Sequence, residues 1–270
     1  MVLSCFFFSI LAGLIKFLGN EIHAFQQAFF RNIFSILIIV PFIVFYKIKV
    51  FKTDRLWLLI LRSFFGSLTM ILLFLSYTLI PLSQAVAISF TTPLFIFLGG
   101  IIFFKEKTNL HKIIALLFGF IFTILALQPS ADMSIGSIIA LLAAFFHAIA
   151  GLIVKELTKT ESILSLMFFM IIFMSVFTIF PAYFYWETPV VRGTWIILFL
   201  LAFVGTLGNF FWTSAISKDE VTNIMPFDYT KLIFATLIGL VFFEEKIEPL
   251  ILFSGLGIII CNIILFRSTK

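Results

Sequence analysis

Ten long apolar runs, joined by connections too short to fold on their own, leave this chain few structures to adopt. They lie at residues 2–18, 24–46, 56–80, 85–104, 110–127, 134–154, 163–185, 195–216, 221–243 and 250–266. At 1.5 Å of rise per residue each is about long enough to cross a hydrocarbon core of about 30 Å. In lipid the backbone must satisfy its own hydrogen bonds, which leaves helices or a closed barrel. The runs are continuous rather than alternating, so a barrel is excluded. The expectation is an all-α polytopic membrane protein with ten transmembrane helices.

Only 11% of the 270 residues are charged, against about 25% in soluble domains. The 40 Phe are read as lipid-facing and packing surface. A net charge of +5 would suit nucleic acid only on a soluble basic patch, and no run is free to carry one. Its use is topological. With a cytoplasmic N-terminus, twelve Lys and Arg fall at cytoplasmic ends, three (Lys16, Arg192 and Lys246) at the other side, and Arg31, Arg62 and Lys231 within runs. This bias predicts both termini in the cytoplasm of a multi-pass cell (inner) membrane protein. The first run lacks a basic leader and an Ala-x-Ala site, and is expected to be a retained helix. Cys5 and Cys261 sit in apolar runs without metal or redox spacing, and read as buried small hydrophobes.

The chain repeats itself. Phe103-Phe104-Lys105-Glu106-Lys107 closes the fourth run and Phe242-Phe243-Glu244-Glu245-Lys246 the ninth, while Gly66-Ser67-Leu68 answers Gly205-Thr206-Leu207, both at an offset of 139. Ala12-Gly13-Leu14-Ile15 recurs as Ala150-Gly151-Leu152-Ile153, and Pro41 matches Pro181. Two copies, 1–130 and 131–270, would each hold five helices. An odd number inverts the second copy in the membrane, the plan of carriers that bind substrate near the midplane between copies.

The polar positions inside the runs supply the candidate site. Asp228 and Lys231 lie three apart in the ninth run, where a charge costs about 2.5–3.5 kcal/mol on insertion scales. They read either as an intrahelical pair holding the bundle or as a clamp for a zwitterion, with Tyr229 between them. Pro226 would kink this helix and free a carbonyl. At the repeat offset, Ser89 and Thr92 face the pair from the fourth run. His147 is a packing histidine or a proton carrier. Asn209, Trp212 and Tyr77 could offer a flat or cationic substrate an amide and stacking faces. Arg31 either pairs with Glu21 and helix-end carbonyls or guards the outer mouth, and Arg62 reads as a snorkelling anchor near Asp54. Glu106 and Glu245, at matched helix ends, read as interfacial caps or gate contacts.

Arg31, Pro81-Leu82-Ser83-Gln84-Ala85, Thr92-Pro93-Leu94-Phe95, the paired Phe-Phe helix ends and Pro226-Phe227-Asp228-Tyr229 together resemble the EamA family of the drug/metabolite transporter superfamily, over nearly the whole chain. The resemblance implies a central cavity lined by helices 1–4 and 6–9, with alternating access by rocking of the two halves. It also implies a small polar substrate such as an amino acid, S-adenosylmethionine or riboflavin. A weaker resemblance runs to the S-adenosylmethionine carriers of intracellular bacteria; there the ninth segment carries a base in the place of Asp228 and an acid in the place of Lys231, so the substrate is not carried over.

No GxxxxGK[ST], HExxH or Ser/His/Asp grouping occurs. The expectation is therefore a secondary transporter with no cofactor, metal or nucleic-acid partner. Its partners would be a small-molecule substrate and the bilayer, with a homodimer left open. The competing classes are a membrane-embedded enzyme acting on a lipid-linked substrate, which would cluster acids and bases at one membrane face, and a scaffold, which would need no buried charge.

Overall fold

The computed structural model describes residues 1–19, 21–45, 53–80, 85, 88–127, 134–188, 192–243 and 249–268. Within them the regular structure is helical: α1 (Val2–Leu18), α2 (Ala24–Phe45), α3 (Leu56–Leu79), α4 (Thr92–Phe104), α5 (Leu110–Leu127), α6 (Ile135–Leu157), α7 (Ile163–Phe184), α8 (Arg192–Lys218), α9 (Val221–Ile224), a 3₁₀ helix (Met225–Thr230), α10 (Lys231–Phe243) and α11 (Pro249–Ser268). Six stretches are long and apolar enough to cross a membrane: Ala24–Phe45, Leu56–Ser76, Ile135–Leu157, Ile163–Phe184, Gly193–Lys218 and Val221–Phe242. Val2–Ile15, Thr92–Phe104 and Leu110–Leu125 are apolar but shorter.

Local chemistry sets several boundaries. Ser134 and Ser162 cap α6 and α7, accepting from the amides of Ser137 at 3.3 Å and Ser165 at 3.1 Å. Lys105 closes α4 with a left-handed φ of 53°. In a residue with a Cβ that conformation is costly. Here it turns the chain so that Glu106 leaves the helix axis.

Two runs depart from the continuous helices expected of them. In the fourth a turn at residues 90–91 interrupts the helix, which resumes at Thr92 with Pro93 in the first turn, where a missing N–H costs nothing. The ninth breaks at Met225–Thr230, because Pro226 cannot donate into an α ladder and the chain tightens to three residues per turn. Irregular backbone at this depth is tolerated where protein surrounds it or a cavity is lined. Met225, Pro226, Asp228, Tyr229 and Thr230 are all buried.

The helix pairings come in matched sets. α3 packs on α6 and α7, as α8 packs on α1 and α2; α1 packs on α10, as α6 does on α4. The α2–α7 and α5–α11 pairs complete the bundle. One core joins α2, α3 and α7 around Met70, Phe74, Met167, Met170 and Met174. Another joins α4, the broken ninth run and α8 around Ile96, Trp212, Ile224 and Tyr229.

A glycine of α5 fixes the 3₁₀ segment against the bundle. A Cβ on Gly119 would stand 2.5 Å from Tyr229 Cδ2, so the ring rests on bare backbone. Gly119→Ala is expected to destabilise by about 1–3 kcal/mol through overpacking, read as a lowered melting temperature of the detergent-solubilised protein.

Candidate functional site

Three residues per turn eclipses Asp228 with Lys231. Lys231 Nζ donates to Asp228 Oδ2 at 2.9 Å, with side chains only 26% and 10% exposed. α1 brings three residues against this pair. The Cys5 thiol lies 3.8 Å from Asp228 Oδ1, Ser9 Oγ lies 3.1 Å from the Lys231 carbonyl oxygen, and Lys231 Nζ stands 5.6 Å from the centre of the Phe8 ring, within cation–π range. Two opposite charges, a soft thiol and an aromatic face thus meet in one buried place.

His147 and Trp212 lie side by side, with ring centres 5.9 Å apart. Trp212 shares a core with Met225 and Tyr229 of the 3₁₀ segment, which sets His147 near the charged pair. Trp212 is buried, against Gly151. Asn209 Nδ2 donates within its own helix to the Gly205 carbonyl at 2.9 Å. Thr92 Oγ1 donates to the Ala144 carbonyl at 3.3 Å, tying α4 to α6. Ser89 is half-buried and helical, just before the turn that leads into α4. Tyr229 turns away from Asp228, toward Gly119 and Phe90, and its buried hydroxyl has no partner among the described residues. The Tyr77 side chain and Glu245 lie outside the described residues.

The arginines stand differently from their sequence reading. Arg31 does not meet Glu21, whose carboxylate accepts from Thr194 Oγ1 at 2.6 Å. Its Nη1 lies 3.9 Å from Met70 Sδ, and its buried Nε has no partner among the described residues. Arg62 does not snorkel to Asp54: it is buried, with Nη1 3.5 Å from Met174 Sδ. Among the described residues neither guanidinium has a carboxylate partner. Among the described residues of the central region, Arg31, Arg62 and Lys231 therefore stand with one carboxylate, that of Asp228.

Charge is arranged otherwise at the basic end of the bundle. The Glu106 carboxylate accepts from the amides of Val221 at 3.0 Å and Thr222 at 2.9 Å, the first N–H groups of α9. Lys112 Nζ, almost fully buried, donates to Glu220 at 2.8 Å and to the Lys107 carbonyl at 2.7 Å. Arg55 bridges to Glu156 at 3.0 Å, and Lys155 donates to the Asp219 carbonyl. These bonds tie α3, α4 and α5 to α6 and α9.

At the opposite end, His23 stacks on Tyr185, 4.1 Å between centres, beside a hollow of about 200 Å³. Its Nδ1 accepts from the Phe25 amide at 3.3 Å, so the neutral ring is the one that fits. Burial lowers its pKa from the usual value, and Glu187 opposes the shift. A depressed folded pKa means the unfolded chain binds more protons, so stability is present above the unfolded value of about 6.5 and is lost as pH falls below it. His23→Phe is expected to flatten a small decline in melting temperature over that interval.

Sequence reasoning missed Cys5, Phe8 and Ser9 as neighbours of the pair, and Met70 and Met174 as neighbours of the arginines. Cys5 and Ser9, small residues four apart on a Phe-rich helix, are the available signal, since such spacing marks close helix approach.

The chain is similar to transporters over most of its length. An S-adenosylmethionine uptake transporter of Rickettsia bellii is 30% identical over 94% of this chain and 88% of its own length. A pseudopaline exporter of Pseudomonas aeruginosa is 25% identical over 100% of the chain and 95% of its own. A riboflavin transporter of Vibrio cholerae is 28% identical over 68% of the chain and 62% of its own. A crystal structure of 14% identity superposes with a TM-score of 0.86 over 99% of this chain and 96% of that one, a likeness of fold alone. The model of the EamA-like transporter family matches twice, over residues 1–128 and 134–267. With that coverage, and with apolar helices carrying buried charge at their centre, the chain belongs to the EamA-like transporter family and is a multi-pass membrane transporter of the drug/metabolite superfamily.

Proposed function

We propose that the chain is a secondary carrier for a small polar or zwitterionic metabolite of the amino-acid or S-adenosylmethionine kind, working by alternating access. The observation that carries this reading is the Asp228–Lys231 pair, closed on itself at 2.9 Å inside a broken helix and faced by α1. An empty carrier with this pair buries no net charge there. A zwitterion can open it from both sides, its cationic centre meeting Asp228 and its oxyanion meeting Lys231, so that one ion pair is replaced by two and neither charge is left unpaired. The names of the relatives favour metabolites of this size. They include uptake and export alike, so direction is not carried over.

The topology proposed with it is ten spans in two inverted repeats, 1–130 and 131–270, with both termini cytoplasmic. The exchange of helix pairings between α1–α5 and the later helices, the two successive family matches, and the excess of Lys and Arg on one side support it.

Counterflow in proteoliposomes tests the function. Saturable, ATP-independent exchange of labelled S-adenosylmethionine or methionine is expected. Failure of both to exchange or to raise the melting temperature of the protein overturns the substrate class.

A further inference from the structure

Beyond the charged pair, the interior holds two cations that the clamp does not use. Arg62, Gly66 and Met70 share one face of α3, at i, i+4 and i+8. The Arg62 fork rises along that face, its Nη1 only 3.2 Å from where a Cβ on Gly66 would stand. The Arg31 fork arrives from α2 at Met70, one turn further on, or about 6 Å along the axis. Behind it Gly205 gives way: a Cβ there would lie 2.7 Å from Arg31 Nε. Gly66 and Gly205 are a pair of glycines matched by the repeat, and each clears space for a guanidinium. Among the described residues the side-chain atoms offered to these forks are the sulfurs of Met70 and Met174, which are weak acceptors. Two planar donor arrays that reach sulfurs of one core, with no carboxylate partner among the described residues, are shaped for an oxyanion, and α6, which packs on α3, carries His147 beside Trp212 toward the 3₁₀ segment.

We propose that Arg31 and Arg62 form an oxyanion subsite that receives a carboxylate or phosphate group of the transported molecule. The proposal rests on the carrier reading above and deepens it. The oxyanion that opens the Lys231 bond is completed by two forks, and the cationic end of the same molecule is left to Asp228. Molecules of the right size that lack an oxyanion are rejected, because they leave two buried guanidinium groups unpaired.

The test uses the purified full chain in detergent, with phosphate and succinate as probes at millimolar concentration against chloride at equal ionic strength, too dilute for general salt effects. The wild type is expected to show a saturable rise in melting temperature. Arg31→Met and Arg62→Met are expected to lose the rise while melting, without the probe, at or above the wild-type temperature, since an arginine held for a ligand strains the empty protein. Should either Met variant fail to fold, Arg31→Lys and Arg62→Lys keep the charge without the fork, and a rise reduced severalfold is expected. No saturable rise in the wild type overturns the subsite, as does a full rise in the variants. The two readings fail separately. Loss of transport in Asp228→Asn without any oxyanion response removes only the subsite, whereas an oxyanion response lost in the arginine variants, with transport intact in Asp228→Asn, removes only the clamp.

Discussion

Lys231→Ala is expected to reduce counterflow by about 100-fold or more and to destabilise the protein, because it strands Asp228 in a buried place. Breaking a fully buried ion pair costs about 3–5 kcal/mol, and the quarter-exposed ammonium puts this case toward the lower figure. Asp228→Asn strands the ammonium instead, though the Phe8 ring offers it a partial substitute. The informative variant is the double change Asp228→Asn/Lys231→Met. It removes both charges at similar volume, so most of the lost stability should return. Counterflow should not. Melting temperature and exchange rate, measured on the three variants together, separate a pair kept for the bundle from a pair kept for a ligand. Transport restored along with stability would show that the charges only hold the helices.

Glu106→Ala is expected to loosen the basic end of the bundle. The carboxylate satisfies two amides that begin α9, in place of a local capping side chain: Glu220, at the N-cap position, makes no such bond. Losing a helix cap costs about 0.5–2 kcal/mol. The interaction of a carboxylate with the helix dipole adds about 0.3–1 kcal/mol. Each 1.4 kcal/mol is tenfold in an equilibrium, so the tied form should lose about one order of magnitude against forms in which α4 and α9 part. Hydrogen exchange at the Val221 and Thr222 amides should quicken accordingly. Glu106→Gln keeps one acceptor oxygen and should show a smaller change. Gly100→Ala should resemble Glu106→Ala, since a Cβ there would stand 2.9 Å from Glu106 Oε2 and 2.6 Å from Val221 Cγ2. Unaltered exchange in Glu106→Ala would remove the carboxylate from any role in holding this end.

The helical, membrane-spanning character of the chain was legible because an apolar run reports its own depth and length. α2, α3, α6 and α7 begin and end close to where the charges and turn residues put them. The 3₁₀ segment was not legible: Pro226 announces a break but not its kind, and it is the change from 3.6 to 3.0 residues per turn that eclipses Asp228 with Lys231 and swings Tyr229 toward α5. The partners of Arg31 and Arg62 were misread for a related reason. Sequence proximity and snorkelling suggested Glu21 and Asp54, yet long side chains follow open space, and that space is set for Arg31 by Gly205 on α8 and for Arg62 by Gly66 one turn along its own helix. Glu106 was read as an interfacial cap or a gate contact, with no helix assigned to it, because the amides it reaches are more than a hundred residues away.

Cys5 gives the protein a native reporter. Its thiol is fully buried beneath α10 and the 3₁₀ segment, 3.7 Å from the Asp228 carbonyl oxygen, and the other thiol of the chain, Cys261, lies on α11 beside Ala115 of α5. A maleimide can meet Cys5 only when α1 separates from the charged pair. Alkylation kinetics in Cys261→Ala, with no introduced label, would therefore count openings of the site in real time, and protection by a candidate metabolite would rank ligands before any transport is measured.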